Sequence, residues 1–506
     1  MANRPNLLIV VADQLRADAV GAFGSSVAST PNIDALADRG ARFTNAFVQH
    51  TVCSPSRASF LTGWYPHTRG HRSLTHLLRP EDPDLLKTLK HQGYHVTHIG
   101  ARGDTWAPGG TEASCHEYGW VEPPTRPIGG MTRGLDPDDP MVRAFYVGRL
   151  DGSDDEQSDF DEAGVRTAEA WLRRWAAGSG PTGAAGAAAG EPWVLYVPLL
   201  FPHCPFAVTE PWYSLHDRAS IPDRRPPVRS GHEPRFAEHL RTTYGTDRLD
   251  DDQWREIAAV YHGMVSRFDH HVGRLLAALE RADAVDDTVV VLFSDHGEYL
   301  GDYDLIEKWP SGLHDCLARD PLVMAGPGIP AGRIVDDPVE LIDLVPTVAE
   351  LAEAELTHTQ FGRSLLPVLH DPDVVHRTHA FTEGGFLVDE RDLLEQPSFP
   401  YDLKGKAQHD RPEAVGKAVA VRSTTWTYVW RLYEPPELYD RTADPDELHN
   451  LAGRPEHAAV EGELHGEILR WLVATGDVLP WSPDPRFPRV ELPRPAAADT
   501  GRDGPT

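Results

Sequence analysis

The stretch Leu7-Leu8-Ile9-Val10-Val11 is a short apolar run that is followed by the polar pair Asp13-Gln14. A run of this length without alternation is typical of a strand buried on both faces, as in a parallel sheet. Similar runs recur at residues 96–99, 193–201 and 288–293. These four segments predict the central strands of one large sheet.

Segments with helical periodicity lie around these strands, at residues 33–40, 85–93, 163–175 and 254–282. Their apolar residues recur at the spacing of an amphipathic helix. Strand–helix alternation over this length predicts an α/β fold, with a large mixed, mostly parallel sheet between helices. Reactive groups are then expected just past the carboxyl ends of the strands.

The composition divides the chain into regions. Residues 1–372 are predicted to form the α/β domain, and they contain a long insertion at 121–190. Within the insertion, residues 176–190 are rich in Gly and Ala, which is typical of a flexible segment.

Residues 373–480 have a different character and predict a smaller C-terminal α+β domain. Residues 418–422 and 426–432 are expected to be antiparallel strands, and residues 458–474 a closing helix. Residues 481–506 form a Pro-rich tail.

The charge balance is strongly acidic, with 48 Lys and Arg against 77 Asp and Glu and a formal net charge of −29 in 506 residues. Nucleic acid and anionic membranes bind positive surfaces, so neither is expected as a partner. The 40% of hydrophobic residues is enough for a packed core. An anionic substrate would need a local cluster of cations to overcome this charge.

Four cysteines, at positions 53, 115, 204 and 316, are too few and too scattered for a disulfide scaffold. The sequence has no C-x-x-C pair, which argues against a thiolate zinc site. The N-terminus has no secretory pattern, and its apolar run is too short to span a membrane. We therefore expect a soluble, cytoplasmic protein, whose oligomeric state the sequence does not specify.

The segment Cys53-Ser54-Pro55-Ser56-Arg57 carries the most chemical information. Proline and serine here favour the start of a helix, which places Cys53 near a helix N-terminus. Free N–H groups and partial positive charge at that position stabilise an anion, and Arg57 adds a cation one turn later. Taken alone, this cysteine would more often be an ordinary buried residue.

This pentapeptide resembles the C-x-P-S-R signature of the type I, formylglycine-dependent sulfatases of the alkaline-phosphatase-like superfamily. Eight further segments of this chain resemble family landmarks: residues 13–14, 30–34, 40–43, 294–298, 343–347, 438–440, 444–445 and 450–451. The resemblance spans residues 4–475 and implies an alkaline-phosphatase-like fold with the catalytic domain in residues 1–372.

The resemblance implies that a formylglycine-generating enzyme oxidises Cys53 to formylglycine. The hydrated aldehyde then attacks sulfur, the ester oxygen leaves, and collapse of the hemiacetal releases sulfate. One divalent cation would stabilise the developing charge. Its expected ligands come from the two strand ends and the signature, and they are Asp13, Gln14, Cys53, Asp295 and His296. Oxygen ligands favour calcium, with magnesium as an alternative, and the imidazole extends the choice to manganese.

Two of these positions depart from many family members. Gln14 follows Asp13 where many sulfatases have two adjacent aspartates, and His296 follows Asp295 where many have asparagine. The expected metal site therefore has one carboxylate fewer and one imidazole more. This combination is similar to the choline-sulfatase and phosphonate-monoester-hydrolase branches.

Three further residues are expected to contact substrate. Lys308 corresponds to the lysine that the family places against sulfate, and Arg102 takes the place of a second family lysine. His203, in a P-H-x-P-F turn, would bind the sulfate or protonate the leaving oxygen. The family's histidine base is missing after Arg102, so Asp104 and His71 are alternatives and the base stays unassigned.

The sequence therefore predicts a sulfuric ester hydrolase that cleaves a small sulfate monoester, with Cys53, Arg57, His203 and Lys308 as catalytic residues. One alternative is a phosphonate monoester or phosphodiester hydrolase that uses the same residues. A second alternative is a non-catalytic, sulfatase-like binding protein in which Cys53 stays a thiol. The net charge disfavours long sulfated glycans as substrates.

Overall fold

The structure is a computed structural model that describes residues 4–100, 104–126, 131–153, 158–178, 191–481 and 483–492. Its strands are β1 (Asn6–Asp13), β2 (Ala41–Phe47), β3 (His95–Ile99), β4 (Glu117–Gly119), β5 (Tyr146–Arg149), β6 (Trp193–Pro202), β7 (Phe206–Val208), β8 (Thr288–Ser294), β9 (Arg319–Ala325), β10 (Arg333–Val335), β11 (Val339–Glu340), β12 (Ala380–Gly384), β13 (Ala418–Arg422), β14 (Trp426–Arg431) and β15 (Glu437–Asp440).

The α-helices of the described residues are α1 (Pro31–Arg39), α2 (Cys53–Thr62), α3 (Pro66–Arg69), α4 (Leu85–His91), α5 (Gly110–Ser114), α6 (Pro140–Arg143), α7 (Phe160–Ala176), α8 (Arg235–Tyr244), α9 (Asp251–Arg281), α10 (Asp315–Ala318), α11 (Leu344–Leu351), α12 (Leu366–His370), α13 (Asp402–Asp410) and α14 (Ala458–Thr475). None of the described helices combines the length and the apolar character needed to cross a bilayer.

Within the described residues the central sheet has nine strands. Eight follow the order β10-β2-β9-β8-β1-β6-β3-β4, and the ninth, β11, pairs with β2. Only β9 among them runs antiparallel to its neighbours, β8 and β2. The predicted mixed, mostly parallel sheet is therefore confirmed. The four strands predicted from apolar runs are β8, β1, β6 and β3, which are neighbours at the centre of the sheet.

Strand β1 shows why its sequence lacks alternation. Leu8 and Val10 face one hydrophobic core, which α7 and α9 cover, while Leu7, Ile9 and Val11 face a second core beneath α2, α4 and α11. Both faces of the strand are therefore buried, which requires an apolar residue at every position. The sheet lies between two helical layers.

The C-terminal region contains an antiparallel sheet of four strands in the order β12-β13-β14-β15. Helix α14 packs against this sheet through Leu464, Ile468 and Trp471. The strands predicted at 418–422 and 426–432 and the helix predicted at 458–474 correspond to β13, β14 and α14. The predicted smaller α+β part of the fold is thus present.

The segment predicted as an insertion, residues 121–190, contains β5 and α7. Strand β5 pairs with β7, and α7 packs beside α9 and β6. Residues 179–190 of the Gly- and Ala-rich segment, and residues 493–506 of the Pro-rich tail, lie outside the described residues.

Asp343, one of the sequence landmarks, has a structural role. Its buried carboxylate accepts hydrogen bonds from Nε of Arg377 at 3.0 Å and from Nε2 of His376 at 2.8 Å. It also accepts from the backbone N–H groups of Glu340 at 2.9 Å and Arg363 at 2.7 Å. The carboxylate therefore joins the start of α11 to the segment before β12.

We predict that Asp343→Asn lowers the free energy of unfolding by about 1.5–3 kcal/mol at pH 7, because the buried Arg377 loses one of its two carboxylate partners and keeps only Glu340. Burial alone would raise the pKa of Asp343, but Arg377 and His376 hold this pKa well below its usual value. This stabilisation is therefore present above the unfolded-state pKa of about 3.9 and is lost as the pH falls below it. Urea titrations should show that the difference in the free energy of unfolding between variant and parent is smaller in acid than at pH 7. An equal difference at both pH values would contradict the ionised pair.

Candidate active site

Three central strands end at the same edge of the sheet and carry the predicted site residues there. Strand β1 ends at Asp13, β8 is followed directly by Asp295 and His296, and β6 is followed by His203. Parallel strands place their carboxyl ends side by side, which explains the convergence. Asp13, Asp295 and His296 have no exposed surface.

Helix α2 begins at Cys53, and all ten of its residues are buried. Val52 precedes it, and the apolar side chain of Val52 provides no acceptor for the first N–H groups of the helix. The thiol Sγ of Cys53 lies 3.8 Å from Oδ1 of Asp13 and 3.4 Å from Nε2 of His296. Burial, together with the charge of Asp13, raises the pKa of this thiol well above its usual value.

Asp13, Cys53, Asp295 and His296 each direct one potential ligand atom into the same small volume, and these atoms lie within 4.8 Å of one another. Nδ1 of His296 lies 2.9 Å from the backbone oxygen of Gly297 and donates its hydrogen there. The lone pair of Nε2 therefore faces the other three groups, which is the usual arrangement of a metal-binding histidine. The donor set suits a divalent cation.

Arg57 lies against both carboxylates of this cluster. Its Nε donates to Oδ2 of Asp295 at 2.9 Å, and its Nη2 donates to Oδ2 of Asp13 at 3.1 Å. Nε also lies 3.5 Å from Oδ2 of Asp104. Burial alone would lower the pKa of Arg57, but these three carboxylates raise this pKa above its usual value. Nη1 is buried and has no hydrogen-bond partner among the described residues, so it is available to an anion.

Lys308 provides a second buried cation. Its Nζ donates to Oε1 of Gln14 and to Nε2 of His203, each at 2.8 Å, and forms an ion pair with Oε1 of Glu307 at 2.8 Å. Nδ1 of His203 contacts the backbone oxygen of Cys204. His203 therefore keeps its hydrogen on Nδ1 and accepts from Lys308 through Nε2.

Gln14 connects the carboxylate cluster to Lys308. Its backbone N–H donates to Oδ1 of Asp295 at 3.2 Å, and its side chain lies between Lys308 and the carboxylate of Glu298. The residue has a φ of 70°, a left-handed conformation that is uncommon for a residue with a side chain. Burial and the neighbouring Glu307 raise the pKa of Glu298 to about 7.

Several residues of the site were not predicted. Nζ of Lys404 forms an ion pair with Oε2 of Glu307 at 3.1 Å, so this carboxylate is shared by two lysines. The hydroxyl of Tyr401 donates to the backbone oxygen of Cys204 at 2.5 Å and lies 3.5 Å from Nδ1 of His203. Glu307 adjoins Lys308 in the sequence, which was a usable signal, whereas Tyr401 and Lys404 lie outside any motif.

The structure brings together most of the predicted site residues, namely Asp13, Gln14, Cys53, Arg57, His203, Asp295, His296 and Lys308. Arg102 lies outside the described residues. Of the two alternatives for the unassigned base, Asp104 contacts Arg57. His71 instead places its ring nitrogens near the backbone oxygen of His76, at 2.9 Å, and Oδ2 of Asp82, at 3.6 Å.

Comparison with known proteins agrees with this geometry. The family model described as "Sulfatase" matches residues 5–354. The "Multifunctional alkaline phosphatase superfamily protein PehA" of Trinickia caryophylli is 28% identical over 94% of this chain and 96% of its own. The choline-sulfatase of Rhizobium meliloti is 27% identical over 89% of this chain and 83% of its own.

Among solved structures, the phosphonate monoester hydrolase of Agrobacterium radiobacter superposes with a TM-score of 0.71 and 25% identity, covering 94% of this chain and 96% of that one. The predicted resemblance to the choline-sulfatase and phosphonate-monoester-hydrolase branches is therefore confirmed, as is the alkaline-phosphatase-like fold. The chain belongs to the sulfatase family of hydrolases.

Proposed function

We propose that the protein hydrolyses a small sulfate monoester, and that a formylglycine-generating enzyme first converts Cys53 to formylglycine. One observation carries the proposal. Cys53 is the first residue of a buried helix, and its Sγ lies 3.8 Å from Oδ1 of Asp13 and 3.4 Å from Nε2 of His296. When present, the hydrated aldehyde supplies an oxygen nucleophile that a thiol does not provide.

One divalent cation fits Asp13, Asp295, His296 and residue 53. The fit rests on the lone pair that His296 directs into the cluster and on two fully buried carboxylates that share Arg57. We prefer calcium, with magnesium and manganese as alternatives. When bound, the ion supplies Lewis acidity and lowers the pKa of the nucleophile. Ligation by Oε1 of Gln14 would compete with its hydrogen bond from Lys308.

The anionic half of the substrate would meet donors that are already in place. Nη1 of Arg57 is unpartnered within the described structure, and the first N–H groups of α2 have no capping side chain. Lys308 adds a buried ammonium that His203 and Gln14 hold in position. Donors fixed before the reaction stabilise developing charge without a reorganisation cost. We propose that Arg102 adds a further cation.

Lys308 and His203 are suited to protonate the leaving oxygen. They hold one proton between Nζ and Nε2 at a distance of 2.8 Å. The contact of Nδ1 with the backbone oxygen of Cys204 keeps Nε2 directed toward the lysine. The pair therefore forms a proton donor beside the reaction centre.

We predict that His203→Ala affects esters according to their leaving group. General acid catalysis contributes about 10²–10⁴-fold, and it matters most for a basic leaving oxygen. The variant should therefore lose kcat/KM on an alkyl sulfate by about that factor and lose much less on a nitrophenyl sulfate. His465→Ala, at a half-buried histidine of α14, is the matched control and should behave as the parent. Equal losses on both esters would argue against the role of proton donor.

Hydrolysis of a phosphonate monoester or a phosphodiester is the second candidate function. The likeness to PehA and to a solved phosphonate monoester hydrolase favours it, as do Gln14 and His296 in the metal site. The kcat/KM values of aldehyde-verified protein on an aryl sulfate, a phosphodiester and a phosphonate monoester decide between the two. We expect the sulfate ester to be the best substrate, and a much higher value for either phosphorus ester would overturn that choice.

We place the reaction in the cytoplasm. The four cysteines of the chain are all buried and none forms a disulfide, as is usual in a reducing compartment. Fractionation of the native host would test this placement, since recovery of the activity outside the cytoplasm would contradict it.

A further inference from the structure

A cavity of about 250 Å³ lies between the C-terminal sheet and the chain that precedes α2. Its lining includes His50, Arg72, Lys417, Trp430, Leu432 and Leu472. His50 is 1% exposed and Leu432 is 40% exposed, so the cavity has a buried inner end and opens toward solvent. This volume is below the ~300–1,000 Å³ of pockets for drug-sized ligands, which indicates a small occupant.

The inner end of the cavity carries an unpartnered hydrogen-bond donor. Nδ1 of His50 accepts the backbone N–H of Val52 at 3.1 Å, so the ring hydrogen is on Nε2. Nε2 is buried and has no hydrogen-bond partner among the described residues. A Cβ atom at Gly384 would lie 3.3 Å from Nε2 and 1.8 Å from the backbone oxygen of Pro310, so this close approach requires glycine.

The wall of the cavity carries two cations, Arg72 and Lys417, and the carboxylate of Glu383. Arg72 is paired with Glu390, and Glu383 accepts from the backbone N–H and Nδ1 of His67 at 3.0 and 2.7 Å. Lys417 forms no direct ion pair within the described part of the chain, although the charges of Glu390 and Glu383 act on it from nearby. It directly precedes Ala418, whose strand position pairs with Gly384 beside His50.

We propose that this cavity binds a small organic carboxylate, with its charged group between Nε2 of His50 and Lys417 and its apolar body against Trp430 and Leu472. A carboxylate satisfies the buried N–H donor and gives the ammonium of Lys417 a direct partner, and a hydrogen bond between charged partners is stronger than a neutral one. The aromatic and aliphatic lining selects for an apolar body over a bare inorganic anion.

The cavity adjoins the reaction centre. His50 holds the backbone of Val52, the residue that precedes Cys53 and α2, and Oγ1 of Thr51 donates to the backbone oxygen of Trp309 beside Lys308. The carboxylate therefore has two possible sources: the organic half of an ester bound at Cys53, or a separate acid. Binding needs neither formylglycine nor turnover, so the proposal can fail or hold independently of the proposed function.

Calorimetric titration of the full-length protein with phenylacetate tests the proposal. We expect saturable binding that is about tenfold weaker in Lys417→Met, which removes the charge and keeps the stem, and weaker binding of phenylacetamide to the parent. Lys406→Met is the matched control, because the side chain of Lys406 is exposed and paired with Asp410. Leu472→Trp fills the cavity from α14 and should abolish binding.

Absence of saturable binding, or binding that both cavity variants retain at the strength of the parent, would overturn the proposal. Preference for phenylacetamide over phenylacetate would overturn it as well. If binding occurs, inhibition kinetics with an aryl sulfate identify the source of the carboxylate. Competitive inhibition assigns the cavity to the organic half of the substrate, and non-competitive behaviour assigns it to a separate acid.

Discussion

Replacing Cys53 with alanine is expected to abolish turnover, with a loss in kcat/KM of at least about 10⁴-fold. The variant removes the thiol group whose oxidation would give the aldehyde, so the hydrate oxygen that acts as nucleophile cannot form. It leaves the two carboxylates, Arg57 and His296 in place. Residual hydrolysis would come only from the preorganised cations. The measurement is kcat/KM on an aryl sulfate, with carbonyl labelling of the parent protein to establish how much aldehyde it carries.

Cys115→Ala is the matched control for this substitution. Cys115 is as buried as Cys53, at 5% exposure each, but it packs in the hydrophobic core near α4 rather than beside the carboxylate cluster. The control should lose stability and keep its specific activity. Full turnover in Cys53→Ala, or an unlabelled thiol in fully active protein, would contradict the formylglycine mechanism. A folded, inactive parent with an unmodified thiol would favour the binding-protein alternative.

The sheet and the convergence of its strand ends were predictable because both follow from local patterns. A strand buried on both faces must be apolar at each position, which marks β1 and β8 in the sequence. Once both are placed in one parallel sheet, Asp13 and Asp295 must meet at the same edge. The structure adds that the Arg57 side chain lies between these two carboxylates and donates to both, a contact that the spacing of the residues in the sequence does not indicate.

Other parts of the site could not be predicted because their residues come from a region without periodic signals. Tyr401 and Lys404 lie at the start of α13, whose polar sequence does not indicate burial, yet Lys404 is only 2% exposed. Conversely, some landmarks support the fold rather than the reaction. Asn450 uses its side chain in hydrogen bonds to the backbone of Leu438, Ala452 and His232, which fixes the chain after β15.

The charges of the site also explain how a protein of net charge −29 could bind an anion. Asp13, Asp295 and Glu307 balance the three buried cations Arg57, Lys308 and Lys404. These side chains alone therefore provide no excess positive charge, and Asp104 adds one negative charge. A divalent cation at the cluster would make the site net positive while the outer surface stays acidic. In the proposed mechanism the metal would thus serve substrate attraction as well as chemistry.

Asp295→Asn is accordingly expected to be the second most damaging substitution. It keeps an oxygen to accept the backbone N–H of Gln14 but removes one of two carboxylates from the cluster. We expect metal affinity to fall by more than about 100-fold. We expect kcat/KM to fall by about 10³-fold as the ion's contribution to charge stabilisation is lost. Elemental analysis of the purified variant and activity across a titration with calcium, magnesium and manganese measure both effects.

Asp320→Asn provides a control of the same chemistry at a nearby carboxyl group. Asp320 is fully buried, and neither of its oxygens has a hydrogen-bond partner among the described residues. Burial and the charge of Asp295 raise its pKa well above the usual value, which favours the neutral acid, and an amide is the closest uncharged replacement for that form. The control should keep its metal and its activity. If Asp320→Asn were as damaging as Asp295→Asn, the loss would reflect disturbed packing at the ends of the strands. Full metal content and activity in Asp295→Asn would refute the metal site, since Asp295, unlike Asp320, contributes an oxygen to the cluster.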